Sequence, residues 1–321
     1  MREVTASAPG KVNLVLRAGA PTADGYHTLA TVFEALDLRE TVTVRTTRTP
    51  GTTVETVAHL PGGGIDRAIT ELMRAVPSRS HLAVRAARAM QRLAAAGPWA
   101  STAAGLTIRV DKRVPVAGGM AGGSADAAAT LVACNELWEL GLGPGQLEQI
   151  GRALGADVPA CLAGGIALGT GRGDHMAPLE CPATRHHWVI ALAHEGLSTT
   201  DVFAEFDRAA QGTAVPAAPT DGELADLTGP ARLAGPRLVN DLTAAALSLR
   251  PELGGTLSTA RAAGALAAIV SGSGPTVAAL ASSADHAVEI AERLTAAPAV
   301  ARVLTTTGPA PGARVEHQDE R

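Results

Sequence analysis

The sequence is poor in aromatic rings, lysine, cysteine and long apolar runs, and each shortage excludes something. Aromatic residues make up 2% of the 321 residues: three Phe, three Trp and one Tyr. A core must therefore be assembled from Ala, Val and Leu, and each aromatic becomes a candidate for a particular task. The three cysteines (Cys134, Cys161, Cys181) contain no C-x-x-C pair. Neither a disulfide framework nor a structural zinc site is expected, and a reducing cytoplasm is the expected setting. No apolar run approaches the roughly 18 residues that suggest a membrane span. The N-terminus lacks the basic, apolar, small-residue order of a secretory signal. With 18% charged residues and a net charge of −4, the chain is neither a disordered polyelectrolyte nor a generic nucleic-acid binder. Of 27 basic residues only Lys11 and Lys112 are lysines, against 66 alanines, which reads as a GC-rich coding bias. A lysine retained in such a background marks a place where a compact ammonium is needed.

What is present is a chain that is 46% apolar, enough for one large domain or two ordinary ones. Strands are expected at 3–17 (with Pro9-Gly10 breaking or bulging the ladder), 28–38, 40–47, 106–110, 187–194, 267–270, 276–281 and 300–306. Helices are expected at 66–76, 80–96, 124–140, 144–154, 157–163, 240–249, 252–263 and 284–296. Residues 48–65 read as a loop, 209–237 as a long, partly mobile loop, and the tail from Gly308 as disordered. Glycine density at 164–173 suggests a hairpin or a boundary. The mixture of strands and helices in both halves gives an α/β or α+β class with two lobes joined near residue 165.

The strongest chemical signal is Pro115-Val116-Ala117-Gly118-Gly119-Met120-Ala121-Gly122-Gly123-Ser124, between a strand and an Ala-rich helix. Backbone N–H groups in such a loop are unobstructed, and the helix start adds unpaired N–H groups and a positive dipole end, a combination suited to phosphate. The alternative is a tight helix–sheet turn that needs small residues. The segment is neither a Walker A loop nor a G-x-G-x-x-G fingerprint, so a nicotinamide dehydrogenase is excluded.

This segment, continued through Ala125-Asp126-Ala127-Ala128, resembles the central phosphate-binding motif of the GHMP kinases. Ser7-Ala-Pro-Gly-Lys11-Val-Asn13-Leu resembles their N-terminal motif, and Ser271-Gly272-Ser273-Gly274-Pro-Thr276 their C-terminal glycine motif. Ala23-Asp-Gly-Tyr26-His27-Thr-Leu29, Asp111-Lys112-Arg-Val-Pro115, Leu154-Gly-Ala-Asp157-Val-Pro159 and Val239-Asn-Asp-Leu242 are most similar to the branch whose acceptor is 4-diphosphocytidyl-2-C-methyl-D-erythritol, in non-mevalonate isoprenoid synthesis. The resemblance implies a two-lobed α+β fold, with mixed sheets and packed helices in each lobe: an N-terminal domain at 1–165, a C-terminal domain at 166–308 and a disordered tail at 309–321. It also implies ATP and Mg²⁺ as cofactors, transfer of phosphoryl to the tertiary 2-hydroxyl, a small-molecule substrate as the partner, no nucleic acid or membrane, and a monomer or homodimer. Another GHMP substrate, or a catalytically dead binding protein on the same scaffold, are the alternatives.

The resemblance assigns roles residue by residue. Asp157 matches the catalytic aspartate, where a carboxylate takes the acceptor proton; an N-cap is the plainer role. Lys11 matches the lysine beside it, where an ammonium neutralises developing charge; a surface lysine on a strand is the alternative. Asn13, Tyr26 and His27 resemble contacts to cytidine, a turn residue bonded to backbone being the alternative for His27, with Phe203 as the second stacking face or, alternatively, core filling. Residues 115–125 and Gly272, Ser273 and Gly274 are the ATP-side loops. Ser124 is a candidate for the β-phosphate or Mg²⁺, and Lys112 for the nucleotide, a strand-end surface charge being its alternative. Two positions depart from the pattern. His81 stands where asparagine is common, and Asp126 where asparagine occurs, pointing away from phosphate or toward a metal.

Overall fold

The computed structural model describes residues 2–23, 25–182, 184–209 and 215–320. The first sheet grows from two strands of 20 residues, β1 (Arg2–Pro21) and β2 (His27–Thr46), paired antiparallel. Their Val- and Thr-rich alternation is strong enough to carry both ladders through irregular points. The register shifts between Pro9 and Lys11, so Pro9-Gly10 bulges the strand without ending it. The two strands expected at 28–38 and 40–47 are one strand for the same reason.

The stretch expected to loop out at 48–65 contains β3 (Gly51–Ala58), parallel to β4 (Gly105–Lys112). The β-branched run Thr52-Thr53-Val54-Glu55-Thr56-Val57 decides this, and the glycines at 62–64 mark the turn that follows. Helices α1 (Arg67–Arg74), α2 (Leu82–Ala95), α3 (Ala100–Ala103), α4 (Gly122–Leu137), α5 (Pro144–Leu154) and α6 (Val158–Ala163) complete this half. α4 is buried on nearly every side, with Ala125, Ala127, Ala128, Ala129, Leu131, Ala133 and Leu137 inaccessible. Its alanines let α2 approach closely through Ala83, Ala86 and Ala87, which is how a core is filled with so few aromatic rings.

The hairpin β5 (Ile166–Thr170) and β6 (His175–Leu179) adds to the edge of β2, so the boundary expected at 165 falls inside the first sheet. The second sheet has the order β11-β7-β10-β9 and is antiparallel throughout. It comprises β7 (His186–Ala193), β9 (Ala267–Val270), β10 (Val277–Ala281) and β11 (Val300–Gly308). Around it run α7 (Thr199–Ala209), α8 (Asp221–Leu227), α9 (Ala231–Ala234), α10 (Thr243–Leu249), α11 (Glu252–Ala262) and α12 (Ala284–Thr295). α8 and α9 correct the expectation of a loop over 209–237. A capping box between Thr220 and Glu223 starts α8, and Pro230 precedes α9. Residues 210–214 of that stretch lie outside the described residues.

Two segments return to the first sheet. β8 (Val239–Asn240) pairs with β1 at Val15 and Leu16. The tail expected to be disordered forms β12 (Arg314–Glu320) along Arg2–Ser7, with Ser7 Oγ donating to Glu316. A strongly polar strand is tolerated there because it forms the sheet edge. At the seam, Glu34 of β2 receives hydrogen bonds from His186 Nδ1 (2.8 Å) and Trp188 Nε1 (3.1 Å) of β7, all three buried.

Candidate active site

A cleft of about 1210 Å³ lies between the lobes, bounded by β1, the 115–124 loop, the start of α6 and α7. Lys11 and Asp157 meet at its centre. The Lys11 ammonium is buried, 3.6 Å from the Asp157 carboxylate, whose side chain is 36% exposed. Lys11 Nζ also donates to Asn13 Oδ1 at 2.8 Å, and Asn13 Nδ2 donates to Thr31 Oγ1 at 2.8 Å. The Phe33 ring lies 5.2 Å from the ammonium. The bulge at Pro9-Gly10 and the bond from Lys11 N to Met120 O (3.1 Å) turn this lysine inward. Asp157 holds the N-cap position of α6, yet its carboxylate makes no cap hydrogen bond. The capping role is not realised, and neither is the surface-lysine alternative for Lys11.

The glycine loop answers to two demands. A Cβ at Gly118 would crowd Thr276, one at Gly119 would overlap the Ser271 carbonyl, and one at Gly122 would press on Glu40. Tight packing thus requires three of the four glycines, which strengthens the plainer alternative for their presence. The loop nevertheless opens toward the cleft. Ala121 adopts a left-handed conformation (φ 61°) and gives α4 no side-chain cap, leaving the first N–H groups of the helix available for an anion. Pro115 to Ser124 all line the cleft. Ala125 does not; it is turned into the core, which corrects its expected place on the ATP side.

Gly272 and Ser273 face the same space. Asn240 holds them there, its amide donating to the carbonyls of Val270 and Gly272, both at 2.7 Å. Gly274 lies off the cleft, against Val270, and serves the turn through its positive φ of 83°.

Lys112 is not a surface charge. Its buried ammonium is held by Glu40 Oε1 (2.7 Å) and Asp126 Oδ2 (2.8 Å). Asp126 therefore points to a lysine, neither away from the loop nor toward a metal. Burial opposes the charged ammonium, but the two carboxylates outweigh it and raise the Lys112 pKa. His81 is buried beside this trio, its Nε2 3.1 Å from Thr56 Oγ1 and its Nδ1 without a hydrogen-bond partner. Burial lowers its pKa. Met73, Val76, His81, Leu82 and Lys112 form this end of the cleft.

The opposite end carries the rings. His27 stacks on Phe203 with centroids 4.5 Å apart, and its Nε2 meets Asp207 Oδ1 at 2.8 Å. The Phe203 face expected to oppose Tyr26 is therefore covered in part by His27. Tyr26 is 56% exposed, with the Arg172 guanidinium 3.9 Å above its ring. Sequence reasoning missed Arg172, which lies in the β5–β6 turn with nothing local to mark it. It also missed Glu40, Asp207, Met73 and Val76, which reach the site only through pairing and packing. Residue 24, within the Ala23–Leu29 motif, lies outside the described residues.

Two family descriptions match the chain, GHMP kinases N terminal domain over residues 81–165 and GHMP kinases C terminal over 223–300. A 4-diphosphocytidyl-2-C-methyl-D-erythritol kinase of Thermobifida fusca (strain YX) is 48% identical over 97% of this chain and 98% of its own length. One from Nocardia farcinica (strain IFM 10152) is 45% identical over 97% and 96%. A solved 4-(cytidine 5'-diphospho)-2C-methyl-D-erythritol kinase superposes with a TM-score of 0.72 at 31% identity, covering 94% of this chain and 98% of the other. A homoserine kinase from Cytophaga hutchinsonii, at 20% identity and TM-score 0.69, shares the fold. With that identity sustained over nearly full length, the chain belongs to the GHMP kinases and, within them, to the 4-diphosphocytidyl-2-C-methyl-D-erythritol kinase family.

Proposed function

We propose that this protein uses ATP to phosphorylate the 2-hydroxyl of 4-diphosphocytidyl-2-C-methyl-D-erythritol, the substrate in its relatives' names. The observation that carries the mechanism is the Lys11–Asp157 approach of 3.6 Å in a cleft that a helix N-terminus and a cluster of rings also line. The triphosphate lies along Gly118–Ser124, its charge met by the first N–H groups of α4. The base lies against Met73, Val76 and Leu82, beside His81. At the other end the cytosine uses Tyr26 as a stacking surface, and His27 and Asp207 meet its polar edge.

Between them the acceptor hydroxyl sits within reach of Asp157, which takes its proton as phosphoryl moves. Lys11, fixed by Asn13, lies 3.6 Å from that carboxylate and offsets negative charge on the transferring group. Phosphoryl transfer depends mainly on positioning and charge stabilisation, so a weak base suffices.

Mg²⁺ fits the donor set in a limited way. No group of three His, Cys, Asp or Glu side chains among the described residues forms a cation cage, and Asp126 is engaged by Lys112. Mg²⁺ is commonly held largely by phosphate oxygens and water, so Ser124 at the start of α4 is the side chain suited to complete its shell. When bound, the ion neutralises phosphate charge.

ADP release with ATP, Mg²⁺ and 4-diphosphocytidyl-2-C-methyl-D-erythritol, beside homoserine, mevalonate and galactose, tests the reading. Turnover is expected on the cytidyl compound alone. Preferential turnover of any of the other three would overturn it, and so would silence on all four with ATP still bound.

A further inference from the structure

α1 stands between two open spaces. Met73, in its last turn, and Val76, just beyond it, face the nucleotide end of the cleft. Ile69 and Leu72 face the other way, into a second cavity of about 1270 Å³ that separates α1 from α12 and β11 of the C-terminal lobe. With space on both sides, little packing holds the helix: Thr70 is its one buried residue, and its main partner is β3. Its fixed points lie at its start. Asp66 N donates to Ala58 O at 2.8 Å, and Ala58 N donates to Thr70 Oγ1 at 3.0 Å. Asp66 Oδ1 caps the helix by accepting from Ile69 N at 3.1 Å.

The remaining oxygen of this buried cap, Asp66 Oδ2, receives Arg302 Nη2 at 2.7 Å. Arg302 belongs to β11, in the sheet of the other lobe. The ion pair thus forms part of the wall of the second cavity and ties the N-cap of α1 to the C-terminal lobe. Arg302 holds the Asp66 carboxyl below its ordinary pKa, ahead of the opposing effect of burial.

We propose that Arg302 is a positioning residue for the phosphoryl donor. By gripping Asp66 it fixes α1, and through Met73 and Val76 it sets the wall on which the base of ATP rests. The inference rests on the assignment of that end of the cleft to ATP. It gives the C-terminal lobe a part in nucleotide affinity through an ion pair outside the Gly118–Ser124 loop, and separates that affinity from the Lys11–Asp157 centre, which α1 does not touch. A side chain that only stabilised the fold would lower the melting temperature without distinguishing the two substrates.

Arg302→Gln is expected to raise the KM for ATP about tenfold, with kcat and the KM for the cytidyl acceptor changing by less than about twofold. Asp66→Ser keeps a capping oxygen and loses the ion pair, so it should give the same split. The Arg302→Gln, Asp66→Ser double variant should be no worse than either single one, because both remove one contact. Arg302→Lys should recover part of the ATP affinity. Titration of a fluorescent ATP analogue without acceptor reads the same shift independently of turnover, so a wild-type protein that binds the analogue but fails on the cytidyl compound would refute the acceptor assignment and leave this inference testable. Equal changes in both KM values, multiplicative effects in the double variant, or unchanged analogue affinity in Asp66→Ser would overturn it. If Arg302→Gln does not fold, Arg302→Lys and Asp66→Ser carry the measurement.

Discussion

Lys112 Nζ lies 2.8 Å from Asp126 Oδ2 and 2.7 Å from Glu40 Oε1, with all three side chains sealed from solvent. One ammonium between two carboxylates leaves a surplus negative charge in a medium that stabilises it poorly. Burial, ahead of the opposing attraction of Lys112, raises the Glu40 pKa to about 8 and raises that of Asp126 as well. Both shifts favour a proton held within the trio. Lys112→Met would leave two carboxylates buried without a counter-charge, and the expected loss is about 3–5 kcal/mol of stability. Urea denaturation reads it directly, and a variant as stable as wild type would show that the lysine serves the nucleotide alone.

The same trio predicts a pH dependence. Glu40 binds its proton more tightly folded (about 8) than at the ordinary value of 4.5. Between those values the native state holds more protons than the unfolded chain, so this group's contribution to stability falls as pH rises and levels off above the folded value. Glu40→Gln should remove that slope. Denaturation midpoints compared between about pH 5 and about pH 8 should show wild type declining more than the variant, and identical slopes would mean that Glu40 does not titrate in this window.

Asp157→Asn is expected to reduce kcat by at least about two orders of magnitude, because an amide cannot accept the acceptor proton. The nucleotide end of the cleft is untouched, so ATP affinity measured by titration should hold. Turnover within about tenfold of wild type would remove Asp157 from the chemistry and leave it as an orienting group.

The legible part of this protein was local. Lys11, Asp157 and the 115–124 segment stand out because lysine is scarce, because a carboxylate precedes a helix, and because glycines cluster at a strand–helix junction. That Lys11, Asp157 and that loop would share one cleft followed from the family resemblance rather than from these local signals. β3 was not, since Pro50-Gly51 and the glycines at 62–64 overshadow a short β-branched run whose partner, β4, lies about 50 residues away. β12 was hidden for a related reason: Arg314–Glu320 has the composition of a solvated tail and becomes a strand only because β1 offers a free edge. The burial of Lys112 was not legible because its counter-charges come from β2 and α4, and nothing in Asp111-Lys112-Arg113 reveals Glu40. Long-range pairing also explains Arg172 and Asp207, which meet Tyr26 and His27 only in the folded chain.

The two ends of the cleft should respond separately to substitution. Phe203→Leu removes the ring stacked 4.5 Å from His27, and Tyr26→Ala removes the exposed face beneath Arg172. Each is expected to raise the KM for the cytidyl acceptor about tenfold while the KM for ATP stays close to wild type. Inhibition by CMP should weaken in parallel. An unchanged acceptor KM in Tyr26→Ala would eliminate stacking on that ring, and a changed KM for ATP alone would mean that the cleft is occupied in the opposite sense.

Glu34 and His186 provide the last prediction, at the seam of the lobes. His186 Nε2 lies 2.9 Å from the Gly229 carbonyl, and Nδ1 2.8 Å from Glu34 Oε2. A carbonyl only accepts, so Nε2 carries hydrogen. The raised His186 pKa favours hydrogen on Nδ1 as well, directed at Glu34 Oε2, while Oε1 accepts from Trp188 Nε1. The ring is then an imidazolium. Burial works against that charge, but the hydrogen bond and attraction of Glu34 prevail and raise the His186 pKa. Stability contributed by a raised histidine is fully present below its unfolded value, near 6.5, and is lost as pH rises through the folded one. Glu34→Gln should therefore destabilise most below about pH 6.5, by roughly 3–5 kcal/mol, and the gap to wild type should narrow as pH rises. The imidazole ring signals of His186 in a proton-detected titration check the cause. A ring already neutral below about pH 6.5 would remove the imidazolium assignment.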